Sequence, residues 1–155
     1  MRLAYLSLGS NVGSRWDNLA LAVPIVTGGD AYRLSKVYET EPVGGVEQDN
    51  FWNMVVEINT DATMRELLER ARLAEASAQR TRDVRWGPRT LDVDVLLVGD
   101  ETSDDPEILV PHPRLYERAF VVVPLRALAP WLVSDDQLAG GAGIVVELGT
   151  LDSLR

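Results

Sequence analysis

Between residues 91 and 98 the chain reads Leu-Asp-Val-Asp-Val-Leu-Leu-Val. An apolar run of this length predicts a strand, and the two-residue period of a strand divides its side chains between opposite faces. Leu91, Val93, Val95 and Leu97 then share a face that must be buried. Asp92 and Asp94 project together from the other face, their α-carbons about 6.6 Å apart at the usual strand rise. Two carboxylates so placed repel each other unless water surrounds them or a cation lies between them. Any fold for this chain must therefore pack one side of the strand and leave the other open to solvent or to positive charge.

The remaining segments supply the layers. Leu3 to Leu8 reads as a buried strand that breaks at Gly9-Ser10-Asn11. Ser14 can cap a helix carrying Trp16, Leu19, Ala20 and Val23 on one face, and Gly28-Gly29 ends it. Residues 31–40 read as a strand, residues 41–50 as a polar loop, and Phe51 to Ile58 as a further strand. Thr63-Met64-Arg65-Glu66 has the capping-box pattern, and the helix it opens should run to about Gln79. Phe120 to Val123 opens a helical or mixed region, and Ile144-Val145-Val146 predicts a last strand. The tail from about Gln137 carries no functional signal. The order β-α-β-β-α-β predicts an α+β, ferredoxin-like fold, with an antiparallel sheet and helices packed on one of its faces. With 155 residues and no linker or repeat, the whole of 1–155 reads as a single domain.

Composition narrows the chemistry. Fifteen basic against 24 acidic residues give a net charge of -9, which disfavours nucleic-acid and anionic-membrane partners. The chain has no cysteine and one histidine, His112. Disulfides, thiolate catalysis, iron–sulfur clusters and multi-histidine metal sites are thereby excluded. A metal, if used, should be a hard cation on carboxylates. No stretch approaches the ~20 apolar residues of a membrane-spanning helix, so a cytoplasmic protein is expected. Lys36 is the one lysine, and neither a phosphate-binding G-x-x-x-x-G-K-[ST] loop nor a G-x-S-x-G elbow is present.

Against that acidic background, Arg80, Arg82, Arg85 and Arg89 fall within ten residues, just before Asp92 and Asp94. Paired aspartates can be solvated at a sheet edge or neutralised by arginines. They can also hold Mg²⁺, which takes one or two carboxylates and fills its shell with water and phosphate oxygens. The neighbouring guanidinium groups suit the remaining oxygens of a polyphosphate. Trp86 reads equally as a core residue or as a flat surface beside the arginines. His112, between two prolines, reads as structural or functional, and Phe51 and Phe120 taken alone read as core.

Arg85-Trp86-Gly87-Pro88-Arg89-Thr90-Leu91-Asp92-Val93-Asp94 resembles the signature of the 6-hydroxymethyl-7,8-dihydropterin pyrophosphokinase family. Supporting segments occur in the family's order: Leu8-Gly9-Ser10-Asn11, Tyr38-Glu39-Thr40-Glu41-Pro42-Val43-Gly44, Asn50-Phe51-Trp52-Asn53, Pro111-His112-Pro113-Arg114 and Glu117-Arg118-Ala119-Phe120. The resemblance implies a ferredoxin-like enzyme that moves pyrophosphate from ATP to the hydroxymethyl oxygen of the pterin, releasing AMP. It implies that Asp92 and Asp94 hold two Mg²⁺ ions, and that Arg82, Arg89, His112 and Arg118 contact the triphosphate. Arg82 and Arg89 would act in catalysis with the aspartates. By the same resemblance Trp86 supports the nucleotide loop and Glu75 lines the nucleotide pocket. Phe51 and Phe120 would sandwich the pterin, with Thr40, Pro42, Val43 and Asn53 shaping and hydrogen-bonding its edge. A monomer is expected. The competing readings are a Mg²⁺-dependent phosphoryl or nucleotidyl transferase on another small substrate, and a non-catalytic nucleotide-binding module.

Overall fold

A computed structural model describes residues 1–42, 47–78 and 90–155. Its centre is β1 (Arg2–Ser10), flanked on one side by β5 (Asp92–Val98) and on the other by β4 (Phe51–Thr60). Beyond β4 lie β2 (Ala31–Leu34) and β3 (Val37–Thr40), and β8 (Val145–Gly149) closes the sheet outside β3. Every pairing in this sheet is antiparallel. A two-stranded hairpin, β6 (Ser103–Asp105) with β7 (Ile108–Val110), stands apart. The helices are α1 (Arg15–Thr27), α2 (Met64–Ala78), α3 (Ala119–Leu128) and the short α4 (Asp135–Gly140).

Local chemistry sets the helix ends. The Ser14 hydroxyl accepts from the Asp17 amide, and Gly28 closes α1 in the left-handed region at φ 58°. No basic residue lies in the last turn of α1. Arg70 of α2 serves there instead, donating to the Val26 and Thr27 carbonyls and pairing with Asp30. Its guanidinium occupies the space beside Gly28, where a β-carbon would lie 2.6 Å from Arg70 Cζ. At the start of α2, Thr63 Oγ1 accepts from the Glu66 amide and its hydroxyl donates to the Glu66 carboxylate.

The two-residue period sorts the sheet into two packed faces. Ala4, Leu6 and Leu8 of β1, Met54, Val56 and Ile58 of β4, and Val93, Val95 and Val98 of β5 pack under Leu19, Val26, Leu67 and Ala71 of α1 and α2. On the other face Tyr5, Val55 and Leu96 pack against Val121, Val122, Leu125 and Leu128 of α3. Helices therefore cover both faces rather than one, because both faces of the central strands are apolar there.

Two further expectations are corrected. Residues 31–40 form two strands, since Ser35 bonds Val55 through both its amide and its hydroxyl and so interrupts the ladder. Leu97 does not share a face with Val93 and Val95. The register slips between Tyr5 and Leu6, which pair with Leu97 and Val95, so Leu96 is the extra residue of a bulge. Both Leu96 and Leu97 then turn to the α3 side.

One carboxylate is buried on that side. Glu57 is 5% exposed and accepts from the Tyr5 hydroxyl at 2.7 Å and from Arg33 Nε and Nη2 at 2.7 and 2.9 Å. The same Nη2 donates to the Leu128 carbonyl at 3.0 Å, tying β1, β2 and β4 to the end of α3. The Arg33 hydrogen bonds hold the Glu57 carboxyl below its ordinary range against the opposing effect of burial. Burial and the Glu57 carboxylate push the Tyr5 hydroxyl up, which keeps it a donor.

Glu57→Gln should therefore cost about 1.5–3 kcal/mol of stability at neutral pH, the worth of hydrogen bonds to an ionised partner. A carboxyl lowered by folding stabilises above its unfolded pKa and loses that contribution as pH falls through the folded value. In urea melts, the gap between wild type and Glu57→Gln should hold at neutral pH and close below the ordinary value of 4.5.

Candidate active site

The open end of the sheet is built where β1 and β3 finish and β4 and β5 begin. Gly9 pairs with Asn53 on one side and Asp92 on the other, and Asn53 in turn pairs with Tyr38. The row Asp92–Gly9–Asn53 thus runs across three strands with a glycine at its centre. A β-carbon on Gly9 would lie 2.6 Å from Asn53 Oδ1 and 3.8 Å from Phe51 Cδ1, so glycine is what lets Asn53 lean over the row. Asn53 is buried and donates through Nδ2 to Thr40 Oγ1 at 2.7 Å, which fixes its amide. One N–H and the carbonyl oxygen remain for other partners.

Around this row lies a pocket of about 490 Å³. Thr40, Glu41, Pro42, Phe51 and Asn53 line one wall, and Arg114, Glu117, Arg118 and Phe120 the other. Asp92 and Asp94 line it between them, with Gln48 and Ala142 at its rim. The paired aspartates face the same side as Leu96 and α3, as their two-residue spacing requires. Phe120 stands at the first turn of α3, and the Arg118 guanidinium lies over its ring at 5.4 Å from the centroid. Loop residues before Phe51 are pinned from below. Asn11 donates to Gln48 and to the Asp49 carbonyl, and Arg15 donates to the Asn50 carbonyl while lying over the Trp52 ring.

Positive charge comes from the segment that crosses from β7 to α3. The His112 amide donates to the Leu96 carbonyl, and His112 Nδ1 accepts from the Arg114 amide. The imidazole proton is therefore on Nε2, which faces Asp94 Oδ1 at 3.9 Å, too far for a direct hydrogen bond. Burial, with help from Arg118 and Arg114, lowers the His112 pKa against the pull of Asp94. Burial and the neighbouring Arg114 also lower that of Arg118. Among the described residues the Arg114 side chain has no hydrogen bond or ion pair.

A smaller pocket of about 190 Å³ adjoins the first, lined by Leu68, Val95, Pro106, Ile108 and Leu109. His112 and Pro113 line it too, and Asp94 is common to both pockets. Glu75 does not line either. Its carboxylate accepts from the Val93 amide at 3.0 Å on the outer edge of β5. Thus Thr40, Pro42, Phe51, Asn53, Asp92, Asp94, Arg118 and Phe120 come together in the larger pocket, His112 stands in the smaller one, and Glu75 braces the strand between. Val43, Arg82, Trp86 and Arg89 lie outside the described residues.

No group of three or more acidic or histidine side chains is arranged to hold a metal among the described residues. The donors present are two hard carboxylates on one strand face, at the floor of a pocket with cations on its far wall. That set fits Mg²⁺ carried in with phosphate oxygens and does not fit a cation caged by protein alone. Sequence reasoning missed Gly9, Glu41, Gln48, Arg114, Glu117 and Ala142 as lining residues. Gly9 and Arg114 lie within the quoted segments, whereas Ala142 has no local signal at all.

The comparisons with known proteins agree with this geometry. Residues 5–130 match the family model described as 7,8-dihydro-6-hydroxymethylpterin-pyrophosphokinase. The 2-amino-4-hydroxy-6-hydroxymethyldihydropteridine pyrophosphokinase of Bacillus subtilis is 48% identical over 126 residues, 79% of this chain and 75% of that one. The protein of the same name from Methylorubrum extorquens is 40% identical over 155 residues, 98% of this chain and 95% of its own. That of Pseudomonas aeruginosa is 38% identical over 129 residues, 81% and 80% of the two chains. With the family match covering every strand residue that lines the pocket, and with both aspartates among them, this chain belongs to the 7,8-dihydro-6-hydroxymethylpterin-pyrophosphokinase family.

Proposed function

We propose that this protein transfers the pyrophosphoryl group of ATP to the hydroxymethyl oxygen of 6-hydroxymethyl-7,8-dihydropterin, in folate biosynthesis. The observation that carries the reading is the position of Asp94, common to a large aromatic pocket and a smaller one lined by apolar side chains together with Glu107 and His112, with Asp92 beside it on the same face. Two substrates seated in the two pockets would meet over these carboxylates.

The pterin is assigned to the larger pocket. Phe51 and Phe120 offer faces for a flat heterocycle, and the Asn53 amide, held by Thr40, suits its polar edge. Thr40, Pro42 and Val43 shape that edge. The nucleotide base is assigned to the smaller pocket, whose wall of Leu68, Val95, Ile108 and Leu109 is apolar. Its phosphates then run past His112 toward Asp92 and Asp94, within reach of Arg118 and Arg114. Arg82 and Arg89 contact the triphosphate and Trp86 supports their loop, roles that rest on the sequence resemblance. Glu75 contributes by holding β5 through the Val93 amide.

In the reaction the hydroxymethyl oxygen attacks the β-phosphorus, the bond to the oxygen bridging toward the α-phosphorus breaks, and AMP leaves with that oxygen. The hydroxyl proton passes to solvent. Such a step needs alignment and charge neutralisation rather than a covalent nucleophile. Asp92 and Asp94 would hold two Mg²⁺ ions, which supply neutralisation of the phosphate oxygens. Arg118, desolvated against Phe120, is positioned to take the negative charge that the metals leave. A monomer is proposed. The domain is taken as 1–155 and the place of action as the cytoplasm; no helix among the described residues is long and apolar enough to cross a membrane.

Mixing the protein with ATP, Mg²⁺ and 6-hydroxymethyl-7,8-dihydropterin should yield AMP in step with a pterin diphosphate, followed by chromatography of both products. ADP in place of AMP would mean γ-phosphoryl transfer and sink the reading. Asp92→Ala and Asp94→Ala should each lower kcat by about 10³-fold or more, in the range for losing a preorganised electrostatic partner. Phe51→Ala and Phe120→Ala should each raise the pterin KM about tenfold, the worth of one stacked ring, and leave the ATP KM within a factor of about two. Gly9→Ala should act on the pterin KM as well, because its methyl must displace Asn53.

A further inference from the structure

The chain beyond α3 carries no motif, yet it reaches the larger pocket. The first amide of α3 belongs to Ala119, and the residue before it, Arg118, makes no side-chain cap. That amide donates instead to the Ala142 carbonyl at 2.9 Å, and the Ala142 amide donates back to the Glu117 carbonyl at 2.9 Å. Arg118 and Ala142 so form a parallel bridge. Three residues later the same segment joins β3, with Val145 opposite Thr40 and Val146 opposite Glu39. Residues 141–146 therefore span from the helix start that bears Arg118 and Phe120 to the strand end that bears Thr40.

The seat of this span is a close approach. A β-carbon on Gly141 would lie 2.7 Å from Val122 Cγ2 and 3.1 Å from both the Ala119 nitrogen and α-carbon. The backbone atoms among these cannot move unless α3 moves. At Gly140, one residue earlier, a β-carbon would meet nothing within 4 Å.

We propose that residues 141–146 are a positioning strap for the pterin site, with the Ala142 carbonyl capping α3 where no side chain does, and with Gly141 setting how closely Phe120 approaches the opposite wall. Helix starts leave amides that need acceptors, and here one acceptor comes from the far end of the chain. Displacing the strap displaces Phe120 against Phe51. The nucleotide pocket, walled by β5 and β7 and the hairpin turn, does not touch it.

The inference rests on the pterin reading of the larger pocket. Its test compares Gly141→Ala with Gly140→Ala in the full-length protein, at a temperature where circular dichroism shows both folded. Gly141→Ala should raise the pterin KM about tenfold, the worth of one stacked ring, and move the ATP KM by less, through Arg118 at the same helix start. Gly140→Ala should change neither. An unchanged pterin KM in folded Gly141→Ala overturns the strap, and so does an equal effect of the two substitutions. Should Gly141→Ala not fold, amide exchange of the wild type decides. Protection at Ala119 and Ala142 that rises on adding the pterin with Mg²⁺ and a non-hydrolysable ATP analogue supports the strap, and fast exchange at both overturns it. A folded wild type without turnover fails the functional reading, whereas protection at Ala119 in the free protein still judges the strap.

Discussion

Two carboxylates on one face of an edge strand, at the border of the packed core, set the terms for everything around them. Asp92 and Asp94 cannot both be ionised under a hydrophobic layer without water or a cation, because burying unpaired charge costs several kcal/mol per ion. Helix α3 accordingly covers the sheet only as far as Tyr5, Val55 and Leu96, and the end bearing the aspartates is left to a pocket. The bulge at Leu96 contributes to this division. It turns two consecutive leucines to the α3 side and so concentrates the apolar surface just beyond the charged pair.

The same constraint explains why a glycine sits at the centre of the floor. A side chain at Gly9 would stand between Asp92 and Asn53 and would collide with the Asn53 amide. Without it, the residues that hold charge and the residue that can read a polar ring edge share one trough. The walls are then stiffened from outside. Asn11 and Arg15 hold the loop before Phe51, Glu75 holds the edge of β5, and Arg33, itself fixed by Glu57, donates to the last carbonyl of α3. None of these groups is in the lining of the larger pocket, and each fixes an element that is.

Much of this was legible in the sequence because it is local. The strand period placed Asp92 and Asp94 on one face, Ser14 and Gly28 bounded α1, and the element order implied the antiparallel sheet. What was not legible depends on distant partners. The interruption at Ser35 exists because Val55 is opposite it, and the fate of Leu97 depends on where Tyr5 slips in register. A helix on the second face could not be read from strands whose alternation was judged one at a time. Ala142 entered the site through a backbone bridge to Arg118, which no property of an alanine advertises. The pocket residues read from the family-like segments, Thr40, Phe51, Asn53, Arg118 and Phe120, are gathered by the fold, while their individual roles remain those proposed above.

The electrostatics of the pocket argue for a ligand of mixed charge. Burial and the neighbouring Arg114 lower the Arg118 pKa, and burial with both arginines lowers that of His112. Across the pocket stand two carboxylates. The two sets sense each other, with His112 Nε2 3.9 Å from Asp94 Oδ1 and both aspartates pulling the Arg118 pKa up against its burial. A bare nucleotide would relieve the arginines and aggravate the aspartates, and a bare divalent cation would do the reverse. A metal–polyphosphate complex satisfies both, with metal toward Asp92 and Asp94 and phosphate oxygens toward the guanidinium groups. In a protein of net charge -9, that complementarity must be local. It lies in a few side chains placed by the ends of β5 and α3, and the surface as a whole opposes it.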